Sequence, residues 1–200
     1  MASFRFAFSR NFTPMVMLIL TLGLSACASG AKPGAMFPPN TSLTTIGPNS
    51  SLREAVAIGQ VSGGNETNPL WLPDVSSNEF AEALRLSLAA RGMFTRNNDR
   101  FRLEATLISL DRPMAGINLT VTSKVRYYLT RVAGNAVVFD LEIVTTSTAN
   151  FGAHSMFNER LRLANEGAIR ENIAQFLTAL IAAERENPQA FGRSPPARTS

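Results

Sequence analysis

Three long segments of this chain alternate apolar and polar residues, and this alternation limits the possible folds more than any other feature of the sequence. They are residues 101–107, 117–130 and 137–144. Successive side chains of a β-strand point to opposite faces, so each segment predicts a strand with one apolar face. Turn-forming residues separate the segments at 111–116 and 133–135. The pattern predicts an antiparallel sheet with one face packed against the core and the other exposed to solvent.

Two amphipathic helices flank these strands. Ser76 and Glu79 form a capping-box pattern, apolar residues follow at helical spacing from Phe80 to Leu88, and Gly92 suits a helix end. A second apolar stripe runs through residues 169–181 and stops before Pro188. The sequence does not define where this second helix begins, because residues 157–163 also alternate like a strand.

A short apolar stretch, residues 54–61, precedes the first helix and predicts a buried strand. The expected element order is therefore β-α-β-β-β-α. We expect an α+β fold, in which an antiparallel sheet of about four strands carries two helices packed on one face.

The first residues of the chain have the pattern of a secretory signal. Arg5 and Arg10 precede an apolar run, residues 14–24, which is shorter than the roughly 20 residues of a membrane-spanning helix. Small residues follow, up to Cys27, the only cysteine of the chain. We predict that residues 1–26 are a signal peptide. An internal disulfide is excluded, since the chain has no second cysteine.

The tetrapeptide Leu-Ser-Ala-Cys that ends at Cys27 resembles the bacterial lipobox. The resemblance implies cleavage before Cys27 and attachment of several acyl chains to it, which together make a permanent membrane anchor. In such lipoproteins an aspartate after the cysteine often signals retention at the inner membrane. Ala28 at that position implies the outer membrane, with the domain facing the periplasm.

The remaining chain has room for one domain between two flexible ends. Residues 27–51 are rich in Gly, Pro, Ser, Thr and Asn, and we predict a lipidated flexible tether that spans about 25 Å as a coil. We predict that residues 52–186 form the α+β periplasmic domain and that residues 187–200 are a disordered tail. Loss of the signal peptide removes two arginines and lowers the net charge from +4 to about +2, which does not indicate binding to nucleic acid.

Three stretches of the sequence resemble a group of largely uncharacterised envelope lipoproteins of proteobacteria. The stretches are ALRLSLAARG, LISLDRPMAGINLTVTSKVRYYL and ERLRLANEGAIRENI. Their element order is similar to that of the lipopolysaccharide-assembly lipoprotein and of the auxiliary lipoproteins of ABC-type lipid transporters. This likeness is one of architecture, and architecture does not fix function.

The sequence offers little for catalysis. His154 is the only histidine; it could act as a base for a nearby serine, but a loop residue with no catalytic role is favoured. Glu104 and Asp140 could form an acid/base pair, although solvated charges on a wet sheet face are favoured. One histidine and one acylated cysteine cannot build a zinc site. We predict a protein that is not an enzyme and binds no metal or cofactor.

Two surfaces could contact a partner. Lys124, Arg126 and Tyr128 share the polar face of the predicted sheet with Asp140 and Glu142. This face could bind a partner or be an ordinary solvent-exposed sheet face. Trp71 lies among apolar residues and prolines, either packed at the sheet edge or exposed as an anchor. We predict an accessory or scaffold in envelope assembly or lipid transport, with an envelope protein as its partner. The alternative is a module that binds a lipid or glycan fragment between helices and sheet.

Overall fold

The structure, a computed structural model, describes residues 29–39, 46–67, 72–97 and 100–192. Its elements are α1 (Pro33–Met36), β1 (Val56–Ser62), α2 (Ser77–Ala90), β2 (Phe101–Asp111), β3 (Leu119–Arg131), β4 (Ala136–Ala149), a short 3-10 helix (Phe151–Ala153) and α3 (Phe157–Glu186). The predicted α+β class, the four strands and their order with α2 and α3 are confirmed. The short helix α1, which precedes them, was not predicted.

The four described strands form one sheet in the order β1-β2-β3-β4. β2 and β3 pair antiparallel, as do β3 and β4. β1 pairs parallel with β2, so the prediction of a wholly antiparallel sheet was wrong at this edge. The reason is the position of α2, because a helix between two neighbouring strands carries the chain back to the end where the first strand began.

The predicted alternation describes β2 and β3 well. Phe101, Leu103, Ala105 and Leu107 of β2 are buried. In β3 every second side chain from Leu119 to Leu129 is fully buried. β4 departs from the pattern, since Val137 and Leu141 are exposed at this edge of the sheet. Position in the sheet, and not the alternation alone, therefore decides which side chains α3 covers.

The start of α2 is confirmed. The Ser76 hydroxyl accepts a hydrogen bond from the Glu79 N–H at 3.2 Å, and the Glu79 carboxylate accepts one from the Ser76 N–H at 2.8 Å. Gly92 follows the helix with a φ of +68°, a conformation that favours glycine. Local sequence is enough to fix both ends of this helix.

The long helix α3 settles the ambiguity of residues 157–163, which are helical. α2 and α3 lie on the same face of the sheet, as predicted. There the Tyr127 ring stacks on Phe176 with centroids 4.2 Å apart, and it meets Phe80 edge-on at 6.4 Å. A Cβ atom at Gly167 would lie 2.1 Å from the Ser147 hydroxyl oxygen, so this glycine lets α3 approach β4 closely.

The predicted flexible ends are in part wrong. Ala31, Met36 and Ile46, within the predicted tether, are buried against the domain. Phe191, within the predicted tail, is buried with its ring 5.8 Å from that of Phe101. The packed unit therefore extends beyond the predicted bounds of 52–186. The predicted signal peptide, Cys27 and residues 193–200 lie outside the described residues.

Candidate functional site

The outer face of the sheet brings together three of the predicted partner residues. The Lys124 ammonium lies 3.2 Å from a Glu142 carboxylate oxygen on the neighbouring strand. The Arg126 guanidinium donates two hydrogen bonds of 3.0 Å to Asp140, and its central carbon lies 4.9 Å from the centre of the Tyr128 ring. The bond from Arg126 lowers the pKa of Asp140. The outer face of the sheet thus carries two neighbouring ion pairs beside an aromatic ring.

This arrangement does not favour the acid/base pair considered from the sequence. Tyr128 pairs with Glu104 on one side and with Asp140 on the other, so the two carboxylates lie two strands apart, about 10 Å at the usual strand spacing. Glu104 accepts a hydrogen bond of 3.2 Å from Arg102, as Asp140 does from Arg126. Each acid is paired with its own arginine, and the two carboxylates are too far apart to exchange a proton directly.

The remaining predicted residues have different outcomes. Cys27 and Trp71 lie outside the described residues, and their roles stay predictions. His154 is exposed, and its Nδ1 accepts a hydrogen bond of 3.1 Å from the Met156 N–H. Among the described residues no three His, Cys, Asp or Glu side chains are grouped so that they could hold a metal ion. The prediction that the chain is not an enzyme stays a prediction.

A buried polar cluster of Ser123, Tyr127, Thr145 and Asn172 joins α3 to the sheet. The Tyr127 hydroxyl donates to Asn172 Oδ1 at 2.8 Å, and the amide of Asn172 donates to the Ile143 carbonyl at 2.9 Å. The hydroxyls of Ser123 and Thr145 lie 2.9 Å apart and both reach the Ala168 carbonyl in α3. Burial raises the pKa of Tyr127 well above its ordinary value, so its proton stays in place. The cluster fixes the position of α3 and offers no group for reaction.

Sequence reasoning missed the seam between α3 and the segment of residues 29–51. Three hydrogen bonds join the first part of this segment to α3, and two join its end. They are Ser29 hydroxyl to Glu159 at 3.3 Å, Lys32 N–H to Glu166 at 2.9 Å, Arg170 to the Ala35 carbonyl at 2.8 Å, Ser50 hydroxyl to Glu184 at 2.6 Å, and Ser51 N–H to the same Glu184 carboxylate. The described parts of this segment, residues 29–39 and 46–51, therefore contact α3 near its first turns and near its end. Met36 and Ile46 were the signal, because lone apolar residues in a polar segment can be anchors in the core.

The centre of this seam is a buried ion pair. Glu166 is buried and receives hydrogen bonds from both the Lys32 N–H and the Arg162 guanidinium. Arg162 also donates to Glu159 at 2.7 Å and lowers the pKa of that carboxyl group. A buried charge pair costs desolvation and is tolerated only when its hydrogen bonds are made, as they are here.

Two of the clefts between described residues lie beside α1 and β1. One of 510 Å³ lies beside α1 and is lined in part by Glu166 and Arg170. The other, of 380 Å³, lies beside β1, where Arg85 is bound to Glu82 at 2.6 Å and lies over the Phe94 ring. Glu166 and Arg170 in the first cleft, and Glu82 and Arg85 in the second, already have partners within the domain, so these four charges are not free to hold a charged ligand.

Taken together, the described elements define a fold class: a four-stranded sheet with one parallel edge pair, covered on one face by two helices. No helix within the described ranges combines the length and the apolar character needed to cross a membrane. No protein-family model matches the sequence, and no curated protein matches it.

Solved structures do match the fold. The crystal structure of XCC0632, a DUF330 protein from Xanthomonas campestris, matches with a TM-score of 0.52 at 10% identity, covering 73% of this chain and 95% of that one. A minor lipoprotein from Acinetobacter baumannii has a TM-score of 0.44 at 13% identity, covering 67% and 96% of the two chains. PelC from Paraburkholderia phytofirmans has a TM-score of 0.45 at 19% identity, covering 68% and 92%. At these identities the likeness concerns the fold alone. The statement of similar fold rests on the first comparison, whose TM-score is above 0.5.

Proposed function

We propose that this chain is a bacterial envelope lipoprotein, anchored in the outer membrane by acyl chains on Cys27 and facing the periplasm. The observation that carries the proposal is the sequence Leu-Ser-Ala-Cys27 at the end of a short apolar run that follows two arginines. Ser29, the first described residue, contacts α3 only two positions after the cysteine, so an anchor at Cys27 would hold the domain close to the bilayer.

We propose further that the domain acts without catalysis, as an accessory or scaffold in envelope assembly or lipid transport. The outer sheet face supports a binding role. Lys124, Arg126 and Tyr128 lie beside one another on the sheet face that neither α2 nor α3 covers. Each of the two cations is paired with a carboxylate of β4, and Arg126 also lies over the Tyr128 ring. A rigid surface that mixes an aromatic ring with charges of both signs suits a protein partner.

The alternative of a ligand held between helices and sheet has no observation in its favour. The rings of Phe80, Tyr127 and Phe176 and the buried polar cluster occupy the space that such a ligand would need. Native mass spectrometry of the mature protein tests this alternative, since a ligand that co-purifies would bring it forward.

The anchor is tested by the variants Cys27→Ser and Ala28→Asp, with incorporation of labelled palmitate and membrane fractionation as readouts. Wild type should incorporate label and reside in the outer membrane. Cys27→Ser should incorporate none and retain its signal peptide, and Ala28→Asp should incorporate label but move to the inner membrane. Equal labelling of wild type and Cys27→Ser would contradict lipidation at this residue.

The partner surface is tested with a photo-crosslinking residue in place of Tyr128, and with the same residue in place of Arg185 as the control. Arg185 is exposed near the end of α3, away from the outer sheet face. Irradiation of intact cells should join a defined envelope protein to position 128 and not to position 185. Recovery of no protein, or of the same proteins from both positions, would contradict a specific partner at this face.

A further inference from the structure

The four most exposed large apolar side chains of the described residues share one end of the sheet. They are Met114 (83% exposed), Ile117 (72%), Met156 (63%) and Phe151 (60%). They lie in the loops 112–118 and 150–156, which adjoin because Leu119, at the start of β3, pairs with Ala149, at the end of β4. We name this pair of loops the loop end. Exposed apolar groups gathered in one place mark a contact surface.

The loop end is held in its conformation by specific contacts. The Phe151 N–H donates to Asn118 Oδ1 at 3.3 Å and so joins the two loops. The buried Arg160 guanidinium donates to the carbonyls of His154 and Ser155, both at 3.0 Å, and lies 5.1 Å from the centre of the Phe151 ring. The apolar side chains are therefore presented outward by a fixed frame.

The chain before the domain leads to this same end. Its contacts with α3 advance together, from Ser29 with Glu159, to Lys32 with Glu166, to Ala35 with Arg170. The segment thus runs parallel to α3, and its direction traced backward points past the first turn of the helix, where Met156 and the loop 150–156 lie. Cys27 is two residues before Ser29, so their Cα atoms are within about 7 Å of each other.

We propose that the loop end docks on the bilayer that holds the acyl chains of Cys27, with its four exposed apolar side chains in the headgroup region. This inference rests on the proposed lipidation of Cys27. Since residues 29–39 are packed on the domain, they cannot extend as a spacer, and the acyl chains hold the loop end against the lipid. Apolar side chains at that depth leave water for the edge of the acyl region. The outer sheet face then stands upright from the membrane, open to a partner in the periplasm.

The test places a fluorophore at single sites of the full acylated protein. Acylation blocks the sulfur of Cys27, so Ile117→Cys, Phe151→Cys and the control Val137→Cys each provide one free thiol for an environment-sensitive dye. Val137 is also exposed, at 59%, but lies at the opposite end of β4, about 40 Å from Ala149. The proteins are reconstituted in vesicles of phosphatidylethanolamine and phosphatidylglycerol, with and without a quencher on the lipid chains.

We expect a blue shift and strong quenching by the lipid at positions 117 and 151, with neither effect at position 137. Equal quenching at the three positions, with flotation and intact mass confirming an acylated and anchored protein, would overturn the docking and leave the anchor standing. A blue shift at 117 and 151 without lipid quenching would mean that another protein, such as a second copy, covers the loop end, and this also overturns the proposal. A mass without acyl chains would reject the proposed anchor itself, and the docking with it.

Discussion

Replacement of Asn172 by alanine tests whether the buried polar cluster holds α3 on the sheet. Asn172 is fully buried, accepts a hydrogen bond from the Tyr127 hydroxyl at 2.8 Å and donates one to the Ile143 carbonyl at 2.9 Å. Asn172→Ala removes these two bonds and a longer one of 3.4 Å to the Ser123 hydroxyl, and it leaves the Tyr127 hydroxyl in the core without its acceptor. An orphaned buried hydroxyl costs about 1–3 kcal/mol and a lost hydrogen bond about 1 kcal/mol.

The expected loss in the free energy of unfolding is therefore about 2–4 kcal/mol, a large part of the 5–15 kcal/mol typical of a folded protein. Tyr127→Phe alone should cost about 1–3 kcal/mol, because it leaves Asn172 Oδ1 without a donor. The double variant should cost less than the sum of the two by at least about 1 kcal/mol, since neither orphaned group is then present.

Urea unfolding followed by circular dichroism measures these free energies, with Tyr128→Phe as the matched control. Tyr128 is the next residue along β3 and lies on the outer face, so loss of its hydroxyl should change stability by less than about 0.5 kcal/mol. If Tyr127→Phe is no more destabilising than Tyr128→Phe, or if the two cluster variants are additive, the hydrogen bond does not contribute as the geometry indicates.

Three further outcomes follow from buried groups. Burial raises the pKa of Tyr127 in the folded state, so folding favours the protonated hydroxyl. The stability that this protonated group contributes is complete below pH about 10 and is lost as the pH rises toward the folded pKa. Urea titrations above pH 10 should therefore show a decline in the free energy of unfolding that Tyr127→Phe reduces. Gly167→Ala should lower the free energy of unfolding by about 1–3 kcal/mol through its clash with Ser147, which a lower melting temperature would show. Adding Ser147→Gly to this variant should restore the melting temperature. Arg162→Met should lower the free energy of unfolding, measured in urea, by about 3 kcal/mol, because it leaves the buried Glu166 without its ion partner; no change would show that this ion pair does not stabilise the fold.

Much of the fold followed from local pattern. The capping box predicted where α2 begins, and the alternation predicted the buried faces of β2 and β3, because both signals depend on neighbours in sequence. The direction of β1 was predicted wrongly, as antiparallel to β2. The apolar pattern of residues 54–61 is compatible with both a parallel and an antiparallel strand. The direction depends on how β1 is hydrogen-bonded to β2, which the pattern does not contain.

The errors at the ends of the chain have a common cause. Composition predicts disorder when a segment has too few apolar residues to offset the entropy of ordering. It cannot include stabilisation from a distant element, such as Glu166 accepting from the Lys32 N–H or Phe101 receiving the Phe191 ring. The candidate site shows the same division. Lys124, Arg126 and Tyr128 were predicted to share a face, but the carboxylates that pair with them became known only from the register of β3 with β4.

The sequence by itself determined the four strands and the two long helices, because these depend on the types and spacing of nearby residues. The lipid attachment at Cys27 rests on the same kind of local pattern and stays a prediction. Tertiary structure alone decided that residues 157–163 join α3, that Gly167 lets this helix approach Ser147, and that Ser29 and Ser50 contact it near its two ends. Each of these outcomes depends on contacts between residues far apart in the chain. Such contacts become favourable only when the sheet and helix are already in place, since they must offset the entropy of ordering both partners.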